Sequence, residues 1–364
     1  MGLAALLVAS TTHPADARSA AGQNWSPFIL VTGLLLIGLV ADDDGLFAAA
    51  GHRLAHASRS GIGLFLGAAL MIGVVTALLN LDTSVAFLTP VLVYTARSRG
   101  EPDAPLLFGS ILLANAGSLF LPGSNLTNLI VLGHFHVTGG QFFGRMWLPA
   151  LVALVTTAAV IAFFERRSLR LSSDGPVPTG SPKFGVGVLA CSAAAALVVL
   201  LSSPALPMLS VGVLATMVRL VRGEEHPRRV LQLLGIPLLV GLFGLAVGLG
   251  TLGRVWSGPE HLLSHLDAWG TAAIAAISTV LLNNLPAASL LAARTPRHPY
   301  SLLIGLNLGP NLFVTGSLAW VLWLRSARTA GARPSIAGAS RLGLVAVPLS
   351  IAAAVGVSLL AGSN

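Results

Sequence analysis

The sequence predicts an all-α polytopic membrane protein with about ten transmembrane segments. Three observations carry this prediction. Hydrophobic residues make up 54% of the 364 and charged residues only 9%, where a soluble domain has about a quarter charged. The apolar residues run in continuous stretches rather than in alternation, which excludes a β-barrel. These stretches recur along the whole chain with short polar links between them. The same composition excludes a soluble enzyme, a disordered chain and a nucleic-acid binder.

Taken in order, residues 1–24 hold one apolar stretch, Leu3 to Ala9, that is too short to span. No basic segment precedes it, as a signal peptide would require, so a remnant or partial span is expected there. Stretches at 27–41, 61–79, 106–121 and 147–164 are the expected spans of a first membrane repeat, residues 25–164. A polar link at 165–183, with three prolines and several Ser and Gly, reads as an exposed linker. A second membrane repeat, 184–364, has stretches at 184–201, 206–220, 231–252, 270–282, 302–324 and 342–361.

Between spans, Asp42-Asp43-Asp44-Gly45 precedes residues 46–57, an expected interfacial amphipathic helix carrying His52, Arg53 and His56, with Asp44 as its N-cap. Lys and Arg number 21 against 13 Asp and Glu, a net charge of +8. They sit in short loops, so positive-inside topology explains the charge and nucleic acid is not an expected partner. The Arg219/Arg222/Arg228/Arg229 and Arg325/Arg328/Arg333/Arg341 clusters and the central link are assigned to the cytoplasm. Gly241, Gly244 and Gly248 suit close helix packing. The six tryptophans, Trp25, Trp147, Trp256, Trp269, Trp320 and Trp323, are expected mostly in an interfacial belt. His134 and His136 are expected at a wet loop end, and His261, His265 and Asp267 on a polar connector. The single cysteine, Cys191, leaves no internal disulfide or thiol metal cluster. There is no phosphate loop, hence no ATPase in this chain.

Four apolar stretches are interrupted by polar residues, two before the central link and two after it. The first interruption is Asn80-Leu81-Asp82-Thr83-Ser84, continued to Thr89-Pro90. The second is Pro122-Gly123-Ser124-Asn125-Leu126-Thr127-Asn128. The third is Asn283-Asn284-Leu285-Pro286. The fourth is Asn307-Leu308-Gly309-Pro310-Asn311, followed by Thr315-Gly316-Ser317. A break within a membrane helix frees backbone groups that lipid cannot satisfy, so they must face protein, a cavity or a ligand. Half-helix N-termini then offer partial positive charge, and Asn, Ser and Thr add donors and acceptors. Paired breaks in corresponding positions point to a secondary transporter. Asp82 stands alone in a long apolar context, where a charge costs roughly 3 kcal/mol or more, and is the candidate ion-coupling residue. It also fits as a cap for a helix over 83–94.

As a set, these four segments resemble the signatures of the arsenite efflux pump family (ArsB type) of the ion transporter superfamily, in order and spacing. The resemblance runs from about Trp25 to the C-terminus. It departs at Leu81, where relatives often carry Asn. It implies two inverted repeats with re-entrant hairpins and broken helices, a scaffold domain and a mobile transport domain. It further implies proton-coupled export of arsenite or antimonite, as a homodimer in the inner (cytoplasmic) membrane. The substrate site it implies draws on Thr83, Asn125, Thr127, Asn128, Asn283, Asn284, Asn311, Thr315 and Ser317, with Asp82 for coupling; Asn80, Ser84, Ser124, Asn307, Gly309 and Gly316 of the same breaks complete the candidate substrate-binding set. A site of amides and hydroxyls suits neutral arsenous acid, and thiolate coordination is excluded with one cysteine. No cofactor is expected; the coupling ion is H+, or Na+. The alternative within the superfamily is a sodium- or proton-coupled carrier of inorganic or organic anions, or a cation/proton antiporter. Expected partners are the lipid bilayer and a small polar or anionic substrate. The basic cytoplasmic loops permit an ATPase partner without predicting one. An intramembrane enzyme would need a second acid or a nucleophile–base pair within the spans, and Asp82 has none beside it in sequence.

Overall fold

A computed structural model describes residues 1–135, 137–170, 185–201 and 203–362, and every regular element among them is helical. His136 and most of the expected linker, 171–184, lie outside the described residues. In chain order the helices are α1 (Gly2–Thr12), α2 (Pro14–Asp43), α3 (Leu46–Ala57), α4 (Gly61–Leu79), α5 (Leu81–Ser98), α6 (Ala104–Gly117), α7 (Leu126–Leu132), α8 (Gly139–Phe164) and α9 (Arg166–Arg170). They continue as α10 (Val186–Leu200), α11 (Ala205–Val221), α12 (Pro227–Leu234), α13 (Ile236–Val255), α14 (Gly258–His265), α15 (Ala268–Leu282), α16 (Asn284–Leu291), α17 (Pro299–Leu308), α18 (Ala319–Thr329) and α19 (Ile336–Leu360). Two 3₁₀ turns, Pro122–Ser124 and Gly309–Leu312, separate α6 from α7 and α17 from α18.

Five helical segments are long and apolar enough to cross a membrane: Pro14–Asp43, Gly61–Leu79, Gly139–Phe164, Pro227–Val255 and Ile336–Leu360. Other apolar helices are only 10–17 residues long; among them α6 stops shortly before the second break and α15 at the third. The stretch expected at 302–324 is accordingly two helices and a 3₁₀ turn rather than one span. At the N-terminus α2 runs unbroken through Trp25, so the expected boundary after residue 24 falls inside a helix.

The order of elements recurs. Helix α4, a break, α5, α6, a 3₁₀ turn, α7 and α8 are matched by α15, a break, α16, α17, a 3₁₀ turn, α18 and α19. Packing follows the same correspondence. Helix α5 packs on α18 while its counterpart α16 packs on α7, and α8 packs on α19. Further out, α1 packs on α13 as α11 packs on α2. Such reciprocal contacts are what a two-fold relation between repeats generates. Gly244 and Gly248 make the α1–α13 approach close: added β-carbons would meet Gly2 O and Ala5 Cβ.

Two local expectations change. Helix α3 has Gly45, at φ 75°, at its N-cap position. Asp44 instead accepts from Gly187 N–H at 2.6 Å and pairs with Arg219, because the start of α10 and the end of α11 both abut the end of α2. Trp320 and Trp323 are fully buried rather than interfacial. Their indole N–H groups donate to Pro310 O at 2.8 Å and Leu107 O at 2.9 Å, so neither buried donor is left unpaired. Trp25, Trp147, Trp256 and Trp269 are exposed on the surface. Asp267, on the expected polar connector, caps α15 by accepting from Gly270 N–H at 2.7 Å.

Candidate functional site

The first and third breaks share one local geometry. Helix α4 ends as Asn80 N–H donates to Thr76 O at 3.0 Å, and α15 ends as Asn283 N–H donates to Thr279 O at 2.8 Å. Both asparagines then turn the chain with positive φ, 94° and 78°, the two such non-glycine residues among those described. Asparagine tolerates positive φ better than most residues because its short amide can bond locally. Here each amide starts the next helix: Asn80 Oδ1 accepts from Thr83 N–H at 2.8 Å, and Asn283 Oδ1 from Leu285 N–H at 3.4 Å. Asp82 is therefore not the cap of α5. It lies in the first turn, with no hydrogen-bond or ion-pair partner among the described residues.

All four breaks meet. A small cavity of about 20 Å³ is lined by Leu81 and Asp82 from the first, Asn125 and Leu126 from the second, Asn283, Asn284 and Leu285 from the third, and Ser317 and Leu318 from the fourth. Its remaining wall is Leu242 of α13. That volume is room for about one water. Asp82 is the single ionisable residue in the lining, and no Arg or Lys contributes to it. Helices α5, α7, α16 and α18 all begin at this cavity, so the positive ends of their dipoles gather around the lining that carries Asp82.

Behind the cavity lies a buried amide network. Asn307 Nδ2 donates to Asn128 Oδ1 at 2.7 Å and to Leu303 O at 2.8 Å, while its Oδ1 accepts from Asn125 Nδ2 at 2.7 Å and faces Ser118 Oγ at 2.6 Å. Asn128 Nδ2 in turn donates to Ser118 O at 2.7 Å. Asn115 Nδ2 donates to Asn311 Oδ1 at 2.8 Å, and Asn311 Nδ2 to Leu112 O at 3.0 Å. The network therefore ties α6 and α7 of the first set to α17 and the second 3₁₀ turn. Asn115 and Ser118 belong to it, although the sequence reading treats them as part of an ordinary span. Polar residues inside the stretch at 106–121 are the signal that could have found them.

The expected site residues divide accordingly. Asp82, Asn125, Asn283, Asn284 and Ser317 reach the cavity. Asn128, Asn307 and Asn311 hold the second and fourth breaks together from behind. Asn80 and Gly316 shape the backbone: Gly316 O accepts from Asn284 N–H at 2.8 Å, linking the third and fourth breaks. Asn283 Nδ2 reinforces this link by donating to Thr315 O at 3.1 Å. Ser124 Oγ donates to Ala77 O at 3.0 Å, and Thr315 Oγ1 to Val280 O at 2.7 Å, so both hydroxyls serve neighbouring helix ends. Gly309 has a packing role: a β-carbon there would lie 2.5 Å from Ala276 Cα. Thr83, Ser84 and Thr127 are buried with hydroxyl oxygens that find no partner among the described residues.

Comparison with known proteins supports this architecture. The chain is 26% identical over 365 residues to the arsenical pump membrane protein of Escherichia coli K12, covering 89% of this chain and 83% of that one. It is 24% identical over 357 residues to the arsenical pump membrane protein of Yersinia enterocolitica, covering 87% and 82%. The YdaH transporter of Alcanivorax borkumensis has a similar fold, with a TM-score of 0.56 over 93% of this chain and 86% of that one at 15% identity. The resemblance carried by the four breaks thus extends over most of the sequence. A family model described as citrate transporter (CitMHS) matches residues 1–322. With its apolar spans and its four convergent helix breaks, the chain is a multi-pass membrane transporter and belongs to the CitMHS family.

Proposed function

We propose that this protein is a secondary active transporter that exports arsenite or antimonite in exchange for protons. The observation that carries the proposal is the convergence of all four breaks on a cavity with one carboxylate, three carboxamides and one hydroxyl, and no cationic side chain. Arsenous acid is neutral near pH 7 and presents only hydroxyls, which such donors and acceptors match. Asp82 has no internal cation to hold it ionised, so it can load and release a proton as the cavity is exposed to each side in turn. The similarity to arsenical pump membrane proteins supports the substrate class.

The second reading is an organic-anion carrier. It is favoured by the family's description and by the helix N-termini that open onto the cavity. Against it, a tricarboxylate would place several negative charges beside Asp82 with no arginine fork to receive them. We assign the arginine-rich face to the cytoplasm. On that face Arg99 bonds Ala55 O and Ser58 O, Arg97 bonds Ala330 O and Gly331 O, and Arg219 meets Asp44.

Arsenite and citrate accumulation, measured in a bacterium lacking its own carriers for both, decides between the readings. Export predicts lower arsenite content, lost when the proton gradient is collapsed. Unchanged arsenite content together with gradient-driven citrate uptake would move the assignment to the organic anion.

A further inference from the structure

Two of the half-helices that start at the cavity, α7 and α16, finish against one side chain of α2. Gln23 Nε2 donates to Ile130 O in the last turn of α7 and to Ala292 O just past α16, both at 2.9 Å. Both carbonyls sit at helix ends, where the regular ladder runs out; Ile130 O also accepts from Gly133 N–H at 3.3 Å. Gln23 Oε1 accepts from Arg254 Nη2 of α13 at 2.6 Å, and Arg254 O accepts from Arg294 Nη2 at 2.8 Å. His134 Nε2 lies 2.9 Å from Ala292 O and 3.2 Å from Gln23 Nε2. The neighbouring Asn24 Oδ1 accepts from Ser289 Oγ of α16 at 3.2 Å. One glutamine thus joins α2 and α13 to the far ends of both half-helices, on the face opposite the arginine-rich one.

Beside Gln23 lies a recess of about 250 Å³ between α2, the first 3₁₀ turn, α7 and the start of α11, lined in part by Ser26, Gly123, Gly133 and Ser203. Gly123 on its wall is two residues from Asn125 on the wall of the central cavity. The recess is half polar in its lining, unlike the apolar groove between α4 and α8, which is suited to lipid.

We propose that Gln23 is the latch of the outer gate, and that the recess is the vestibule through which a small polar solute passes between the cavity and the outside. With the latch closed, the two half-helix ends are pinned to α2 and α13. With it open, water replaces Gln23 on the two carbonyls, so opening leaves no buried group unpaired. The proposal rests on the transporter assignment but not on the substrate.

The test is thiol accessibility, which needs no substrate. In a Cys191→Ser background, Ser317→Cys reports on the cavity lining. Right-side-out vesicles are treated with a membrane-impermeant maleimide. Gln23→Leu removes every polar contact of the latch, whereas Gln23→Glu keeps the Arg254 partner and loses only the two N–H donors. Each is expected to raise the labelling rate of Ser317→Cys by about tenfold, the scale of one to two net hydrogen bonds. Rates within twofold of the parent, with a membrane-permeant maleimide still labelling the reporter, would overturn the latch and leave the cavity standing. Failure of both reagents to label any variant would overturn the latch and the cavity's role together.

Discussion

The backbone at Asn80 and Asn283, with φ 94° and ψ 168° and with φ 78° and ψ 150°, sits where glycine is normally required and other residues lose about 1–3 kcal/mol. Substitution there should invert the usual order of helix propensities. Asn→Gly relieves the strain, forfeits a few tenths of a kcal/mol of capping, and adds unfolded-chain freedom worth about 0.4–1 kcal/mol. Asn→Ala keeps the strain and forfeits about 1 kcal/mol of capping. The glycine variant should therefore be the more stable of the pair by about 1–3 kcal/mol at either site, whereas within a regular helix alanine wins by about 1 kcal/mol. At about 2 °C per kcal/mol for a chain of this size, the midpoints of thermal unfolding in detergent should differ by about 2–6 °C. Transport should fall in Asn283→Gly even so, because the lost carboxamide lines the cavity. An alanine variant as stable as its glycine counterpart at both positions would refute the claim that these turns are strained and retained for function.

Three further outcomes follow from the site and its supports. Asp82→Asn should fold normally, having no pair to break, and should transport without response to a proton gradient; gradient-dependent transport in that variant would remove Asp82 from coupling. A double-mutant cycle on Asn307→Ala and Asn128→Ala, read by reversible unfolding in mixed micelles, should give a coupling of about 0.6–1.7 kcal/mol, the range measured between membrane helices, and additivity within about 0.3 kcal/mol would show the contact to be idle. Soluble-protein values for orphaning a buried group are higher, about 1–3 kcal/mol, but the lower range applies because unfolded chains in a membrane also find partners. Arg99→Met breaks a buried pair with Glu101 at 3.0 Å and two bonds to the end of α3, and should cost about 3–5 kcal/mol; Arg99→Met with Glu101→Leu should recover part of that loss, and no recovery would place the stabilisation in the bonds to α3 alone.

The positions of the breaks were legible because they are compositional. Asn, Gly and Pro inside apolar runs are costly in lipid wherever they point, so four such clusters mark a site before any fold is known. Which residue does what was less legible, because sequence does not report φ. Asp82, in the first turn of α5, has the position and type of a cap, yet Asn80 caps that helix from a backbone angle that no pattern of residue types reveals. The same holds for Asn307 and Asn311, which look like ligands but face Asn128 and Asn115 across the two sets. An amide in a membrane protein can satisfy another amide as well as a substrate, and only the packing of α6 against α17 and the second 3₁₀ turn decides which. Gln23 was hidden for a different reason. Eleven residues of polar and small side chains precede Trp25 in α2 and lower its apparent hydrophobicity, so the segment reads as a remnant. Polarity within a span obeys one constraint in all three cases: lipid cannot satisfy such a group, so it must face protein, water or solute. On the proposed reading, Gln23, Asp82 and Asn283 form one set: Asp82 and Asn283 line the cavity itself, and Gln23 holds the far ends of two half-helices that begin there.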